Sequence, residues 1–305
     1  MTGTLASRAM LTTLRISQWS ARRLDRKVTN EVNASHNAAA DAGRYNKLLI
    51  AKGALADVQR IVNAARDFHY SRTSPWGDDG PRILSAKVYL AYTAGIAAKR
   101  QEFESAVTAF VASYPAVKAD AQIRLNGLFD PADYPADSDI AGRFSFSAEI
   151  LPLPMAGDFR VELAEGQAED IRSSIEARSA EVLQGTMRDA WSRIATHVGR
   201  MAEKLAAYKP AGENIRNSEA HDASGRVTKA EGIFRDSLVD NVRELAGILP
   251  ALNLTDDPAL SAMTARIEER LCSLDAGVLR ELTSARLGVA ADAAAILKDV
   301  GAYLS

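Results

Sequence analysis

Two adjacent carboxylates are the first candidates for chemistry in this chain. Asp78 and Asp79 lie in the stretch "HYSRTSPWGDDGPRIL", residues 69–84, which also contains two prolines and two glycines. Adjacent carboxylates can bind a divalent cation, but such a site needs further oxygen ligands in a defined geometry. Aspartates also hydrogen-bond to local amides in turns, where glycine supplies a positive φ. The stretch therefore predicts a turn between two helices, with a contact to a protein partner, a metal site or a catalytic site as alternatives.

The residues around this pair suggest a surface for a partner. Trp76 lies between a proline and a glycine, and we expect its ring to be buried and to anchor the loop. Together with Asp78, Asp79 and Arg82, it is our first candidate for a partner-binding surface. His69 ends the preceding predicted helix, where a helix dipole favours it as a capping group; a general base is the alternative.

A second candidate is a basic cluster near the N-terminus. Between residues 8 and 47 there are eight Lys or Arg residues and three acids. Four of these basic residues fall within six positions: Arg22, Arg23, Arg26 and Lys27. Such a cluster is typical of the solvated face of a helix, and the alternative is a surface that contacts the phosphates of nucleic acid.

The composition and the missing motifs exclude several classes of protein. The net charge of −2 predicts no strong general attraction to nucleic acid or to acidic membranes. The sequence has no phosphate-binding loop, no H-E-x-x-H, no paired C-x-x-C and no G-x-S-x-G. We therefore expect neither a metal nor a cofactor. The single cysteine, Cys272, predicts a buried inert thiol. Without an apolar leader or a membrane-length apolar run, a cytoplasmic protein with no membrane contact is expected.

The spacing of apolar residues predicts the elements that would position these groups. A seven-member series follows alternating steps of four and three: Met187, Trp191, Ile194, Val198, Met201, Leu205 and Tyr208. This heptad pattern predicts one long helix over residues 165–209, whose stripe, including Trp191 and Met201, packs in the core or binds a partner helix. Alternating runs at 144–150 and 159–163 predict a β-hairpin over residues 144–164.

These elements predict a mainly α fold: a multi-helix bundle with one long coiled-coil-like helix and a single inserted β-hairpin. The predicted order is an N-terminal helical region (1–143), the hairpin (144–164), the long helix (165–209), a polar linker (210–228) and a C-terminal helical region (229–305). The sequence leaves open whether the long helix packs within its own chain or on a second copy.

Four stretches occur in order between about residues 12 and 265: "ISQWSARRLDRKVTNEV", "HYSRTSPWGDDGPRIL", "RFSFSAEILPLPMAGDFRVEL" and "FRDSLVDNVRELAGILPALNLTDDPAL". Together they resemble a family of phage, plasmid and integrative-element proteins known as domain of unknown function 3150. The resemblance implies partners, because such proteins are often encoded beside MoxR-type AAA+ ATPases and von Willebrand factor A-domain proteins. It implies no catalytic residues.

The residues and the resemblance together favour a protein that is not an enzyme. The first hypothesis is an oligomeric helical adaptor or scaffold that binds the ATPase and the A-domain protein, with the hairpin edge or the heptad stripe as the docking element. The alternative is a nucleic-acid-binding protein that uses Arg22, Arg23, Arg26 and Lys27. A site for catalysis at the Trp76–Arg82 loop is a third hypothesis.

Overall fold

The computed structural model describes residues 5–77, 80–154, 165–210 and 231–304. The chain divides into two compact units. Unit 1 comprises Met1–Thr12, Ser71–Tyr89 and Ile150–Ser305, and unit 2 comprises Thr13–Tyr70 and Leu90–Glu149. Each unit is therefore built from segments that are distant in the sequence.

Helices make up most of the described residues. They are α1 (Leu5–Arg8), α2 (Arg26–Ser35), α3 (Ala56–Arg72), α4 (Tyr89–Leu125), α5 (Glu165–Ala207), α6 (Ser237–Leu252), α7 (Pro258–Leu271), α8 (Ala276–Glu281) and α9 (Thr283–Leu304). The strands are β1 (Ala9–Ser17), β2 (Arg22–Leu24), β3 (Asn46–Leu48), β4 (Thr73–Pro75), β5 (Arg82–Ser85) and β6 (Ser145–Pro152). A four-stranded antiparallel sheet has the order β4-β5-β1-β6, and β2 and β3 form a separate two-stranded sheet.

The predicted fold class is wrong, because the protein has a mixed α/β fold in which helices dominate. The alternation around residues 144–150 does mark a strand, β6, but this strand lies beside β1 in the sheet order. The segment 69–84, predicted as a turn only, contributes β4 and β5. Alternation identifies a strand locally, whereas its partner depends on contacts between distant residues. The predicted second hairpin strand, 159–163, lies outside the described residues.

The core of unit 1 surrounds the C-terminal part of α5. The heptad residues Trp191, Ile194, Val198, Met201 and Leu205 are buried in one cluster with residues of α6, α7 and α9. This stripe therefore packs within its own chain, as one of the two possibilities left open by the sequence. A second cluster in unit 1 joins β1 and β5 to Val182 of α5.

The core of unit 2 is formed mainly by α3 and α4. Val58, Ile61 and Val62 of α3 are buried with Phe103 and Phe110 of α4. Further aromatic residues extend this core, including Trp19, whose ring meets the Tyr114 ring edge-on at a centroid distance of 5.7 Å. The packed α3–α4 pair supports the β2–β3 ribbon, because Ala21 before β2 and Leu49 after β3 belong to the same core.

Candidate functional site

The predicted basic cluster lies on strand β2 of the β2–β3 ribbon in unit 2 and on α2, the helix between the two strands in the chain. In the antiparallel register, Arg22 pairs with Leu48 and Arg23 with Lys47. Directly opposed residues share one face of a ribbon, so the guanidinium of Arg23 and the ammonium of Lys47 point to the same side. Such a close pair of like charges requires acidic partners.

Asp25 begins helix α2 and fixes the position of the basic residues that follow. Its carboxylate accepts a hydrogen bond from the Val28 amide at 3.1 Å, as an N-cap residue does. Its own amide donates to the Tyr45 carbonyl at 2.9 Å, which ties α2 to the start of β3. Arg26 and Lys27 are thereby held in the first turn of α2, next to the ribbon.

Lys47 is buried at the centre of an ionic cluster. Its side chain is only 5% exposed, and its ammonium lies 2.7 Å from Asp133 Oδ2 and 3.3 Å from Asp25 Oδ2. It also donates to the Leu128 carbonyl at 2.7 Å. Burial lowers the pKa of Lys47, but the hydrogen bonds to Asp133 and Asp25 outweigh it, so the pKa is raised overall. Lys47 thus remains charged and joins the ribbon to the 128–133 loop.

The Val28 amide and the Lys47 ammonium also affect Asp25. The hydrogen bond from Val28 is the main reason that the pKa of Asp25 is lowered, and Lys47 contributes further despite partial burial of the carboxyl. Asp25 is therefore an anion at neutral pH. A charged cap and a charged lysine stabilise each other.

Arg22 and Arg26 face an open cleft of about 660 Å³ beside this cluster, which we call the ribbon cleft. Its carboxylates already have partners: Asp25 and Asp133 bind Lys47, and Asp130 accepts from the Ala132 amide at 2.9 Å. Within the described ranges, the side chains of Arg22 and Arg26 form no hydrogen bond or ion pair. Their guanidinium groups are therefore available to an anion that enters the cleft.

Arg23 occupies an intermediate position at this cleft. Its Nε lies 3.3 Å from Asp133 Oδ1, while 60% of its side chain remains exposed. One edge of its guanidinium is held by the protein and the rest faces solvent. Lys27 is exposed on α2 and is not part of the cleft lining. The four predicted residues thus separate into two free arginines, one shared arginine and one peripheral lysine.

The sequence reasoning missed two residues that directly precede β3, Arg44 and Tyr45. Both are exposed, and 39% of the surface of Tyr45 is accessible. The Tyr45 amide donates to Thr29 Oγ1 at 3.0 Å, so this aromatic residue is held against α2. Arg44 is one of the eight basic residues between residues 8 and 47. This excess of basic residues is the sequence feature that could have identified it. No sequence pattern pointed to Tyr45.

The candidate partner surface at residues 69–84 is described only in part. Trp76, whose ring is predicted to be buried, is only half-buried; it packs against the cluster of β1 and β5, and its carbonyl accepts from Arg178 Nη2 at 2.7 Å. Arg82 donates from Nε to Thr73 Oγ1 at 2.7 Å, so its side chain holds β4 against β5. Asp78 and Asp79 lie outside the described residues.

The other predicted site residues lie in the cores. Met201 is fully buried, and the Trp191 ring stacks on Tyr303 at a centroid distance of 4.0 Å. Both side chains therefore pack within unit 1 and not on its surface. His69 is buried in unit 2, where its Nδ1 lies 2.7 Å from the Tyr92 hydroxyl. This bond links α3 to α4.

Helix α5 changes character along its length. Residues 169–181 are exposed except for Ile171, Ile175 and Ser179, which are half-buried. These three residues are spaced by four and lead to buried Val182, so they form one stripe of the helix. The described part of the chain therefore leaves this segment of α5 largely open to solvent.

Comparisons with known proteins add no assignment to these observations. No protein-family model matches the chain, and neither curated proteins nor solved structures include a match. Among the described residues, no group of three or more His, Cys, Asp or Glu side chains is arranged to hold a metal ion. None of the described helices has the length and apolar character needed to span a bilayer.

Proposed function

We propose that the protein binds nucleic acid through the ribbon cleft of unit 2, without reading the base sequence. The observation that carries this proposal is the pair Arg22 and Arg26, two exposed guanidinium groups that have no partner within the described residues and face one cleft. Guanidinium groups bind phosphate oxygens in a bidentate manner. The proposed ligand is therefore a phosphate backbone, and the exposed ring of Tyr45 favours a single strand, whose unpaired bases can stack.

Neighbouring residues support a polyanionic strand over a single small anion. Residues 13–70 contain ten Lys or Arg residues and five acids. Arg23 adds a largely exposed cation within the cleft, and exposed Lys27 and Arg44 lie outside its lining. Tyr45 supplies an exposed ring on which an unpaired base can stack, a contact worth about 1–3 kcal/mol per base.

The test is fluorescence anisotropy of a labelled fifteen-nucleotide oligothymidylate, titrated with the full chain at low salt. Reversing the charge in the double variant Arg22→Glu/Arg26→Glu is expected to weaken binding at least about tenfold, because two phosphate contacts become repulsive. A further loss is expected for Tyr45→Ala, since the stacking surface is removed.

The matched control is the double variant Arg66→Glu/Arg143→Glu. Both arginines are exposed in unit 2, lie outside the ribbon cleft and form no pair within the described residues. This control changes the net charge by the same amount and should bind almost as well as the parent protein. Equal losses in the two double variants would mean that only overall charge matters, and the proposed site would be abandoned.

A second candidate function is the helical adaptor for a MoxR-type AAA+ ATPase and a von Willebrand factor A-domain protein. It is supported by the resemblance to the phage and mobile-element family. The specific observation in its favour is the half-buried stripe Ile171–Ile175–Ser179 on an otherwise exposed segment of α5, since an amphipathic helix can dock in a partner's groove. The buried heptad stripe of the same helix is already occupied by unit 1.

Light scattering distinguishes the adaptor from a protein that acts alone. The mass of the chain is measured alone and after mixing with the ATPase and the A-domain protein. The adaptor proposal expects a complex that is lost in Ile171→Glu/Ile175→Glu and retained in the control Ser173→Glu/Ser174→Glu, which alters exposed positions of the same helix. An unchanged mass in every mixture would reject it.

A further inference from the structure

A groove in unit 1 carries positive charge that the described protein does not neutralise. We call it the α5–α6 groove, with a volume of about 400 Å³. Arg200 and Lys204 of α5 line one side, and Arg235 and Ser237 at the start of α6 line the other. Within the described residues, none of the three basic groups forms a hydrogen bond or an ion pair.

The acidic residues that flank the groove are paired with other partners. Asp236 lies 2.6 Å from Arg280, Asp240 lies 3.7 Å from Arg243, and Glu231 lies 3.5 Å from Lys209. Glu203 neighbours Lys204 along α5 but does not line the groove. The three basic groups of the groove therefore share a region with little compensating negative charge.

The helices themselves add to this uncompensated charge. Arg200 and Lys204 are four residues apart, so they lie on one face of α5 with their Cβ atoms about 6 Å apart. Burial lowers the pKa of the nearby His197, and Arg193 and Arg200 lower it further. The positive end of the α6 dipole also lies at the groove, because α6 begins at Ser237.

We propose that the α5–α6 groove binds an acidic peptide segment of a partner protein, with carboxylates at alternate residues beside an apolar side chain. In an extended peptide, alternate side chains are about 7 Å apart, close to the spacing of about 6 Å between Cβ atoms four residues apart on a helix, as Arg200 and Lys204 are. An arginine fork binds a carboxylate in a bidentate manner. This site is independent of the ribbon cleft.

The apolar residues of the groove favour a peptide over a nucleic acid. Ile233 is 69% exposed at its edge and can contact an apolar side chain between the carboxylates. Phe234 is only 4% exposed, and its ring is covered by Tyr208 and by the guanidinium of Arg280. The groove therefore offers a surface for an aliphatic side chain, while its aromatic ring is not open to a stacked base.

The test is anisotropy of the fluorescein-labelled peptide GELEGE with the full chain carrying Arg22→Glu/Arg26→Glu, so that the ribbon cleft cannot contribute. Adding Arg200→Gln/Lys204→Gln should weaken binding at least about tenfold, since two charge-assisted contacts are removed. The control Arg188→Gln/Lys298→Gln neutralises two exposed unit 1 residues that lie outside the groove and have no pair among described residues. It should bind like its parent, and thermal unfolding verifies that all variants remain folded.

Three outcomes would overturn the proposal. The peptide GQLQGQ with the same label, in which glutamine replaces each glutamate, binding as tightly as GELEGE would show that the glutamate carboxylates are not recognised. Equal binding by the groove variant and its parent would place the peptide elsewhere. Displacement of GELEGE by oligothymidylate at similar concentration would identify the groove as a general phosphate site.

Discussion

Lys47 and the pair Arg22 and Arg26 lie at the same ribbon cleft but have opposite environments. The Lys47 side chain is 5% exposed and binds two carboxylates and a carbonyl. The two arginines are exposed and have no partner in the part of the chain described. A buried cation must be paired to offset its desolvation, whereas an exposed one is already solvated by water. Burial therefore separates the cation that stabilises the fold from those that can bind a ligand.

The same contrast applies along α5. Its heptad residues Trp191 and Met201 are buried by other helices of unit 1, while Ile171 and Ile175 lie on a largely exposed segment. Both stripes have helical spacing, so periodicity alone does not tell a core stripe from a docking stripe. The size of the side chains and the available partners decide which one is buried.

The largest loss of unfolding free energy is expected for Lys47→Met. Removal of the ammonium leaves Asp25 without a cation and Asp133 with only the largely exposed Arg23, and breaking such a buried pair costs about 3 kcal/mol of unfolding free energy. Urea unfolding, monitored by hydrogen exchange of the amides of unit 2, measures this loss. The control Lys118→Met breaks the exposed pair with Asp137 and should cost less than about 1 kcal/mol. Equal costs would remove the distinction between buried and exposed cations.

An intermediate loss of unfolding free energy is expected for Asp25→Asn. Asparagine can still cap α2, but it carries no negative charge to pair with the Lys47 ammonium. The loss should be on the order of 1 kcal/mol at neutral pH. Since the pKa of Asp25 is lowered below its ordinary value of 3.8, its charge stabilises the fold above that value. This contribution is lost as the pH falls through the lower, folded-state pKa.

Unfolding free energies of the parent protein and Asp25→Asn, measured between pH 3 and pH 7, test this dependence. The difference between the two proteins should be constant near neutrality and should shrink below about pH 4. A difference that stays constant to the lowest pH would mean that the carboxylate of Asp25 contributes no charge-dependent stability.

The smallest effect on stability is expected for Arg22→Gln/Arg26→Gln. Exposed side chains without partners contribute little, so the unfolding free energy should change by less than about 0.5 kcal/mol. Thermal and urea unfolding measure this change. A loss comparable with that of Lys47→Met would show that the two arginines support the fold, and their assignment to a ligand would fail.

Local features of the structure could be predicted from the sequence, but pairing between distant residues could not. The heptad series located the long helix, and the alternation at residues 144–150 located a strand. The position of β1 beside β6 depends on residues more than a hundred positions apart. The segment taken as a turn between helices has short strands that become stable only in a sheet.

At the candidate site, too, the sequence predicted local features but not contacts between distant residues. Four basic residues within six positions indicated where charge accumulates, and the structure places Arg22, Arg23 and Arg26 around one cleft. Their different roles depend on Asp133, far along the chain, which binds Lys47 and Arg23. No periodicity or motif connects these residues, because the link is a tertiary contact between the ribbon and the 128–133 loop.

The most direct test of the central claim is the salt dependence of oligothymidylate binding. The logarithm of the association constant falls with the logarithm of salt concentration, by about 0.7 for each phosphate contact to a single strand. Arg22→Gln/Arg26→Gln should therefore reduce the slope by about 1.4, while the control Arg66→Gln/Arg143→Gln leaves it unchanged. An unchanged slope in Arg22→Gln/Arg26→Gln would contradict the claim that these two arginines contact phosphates.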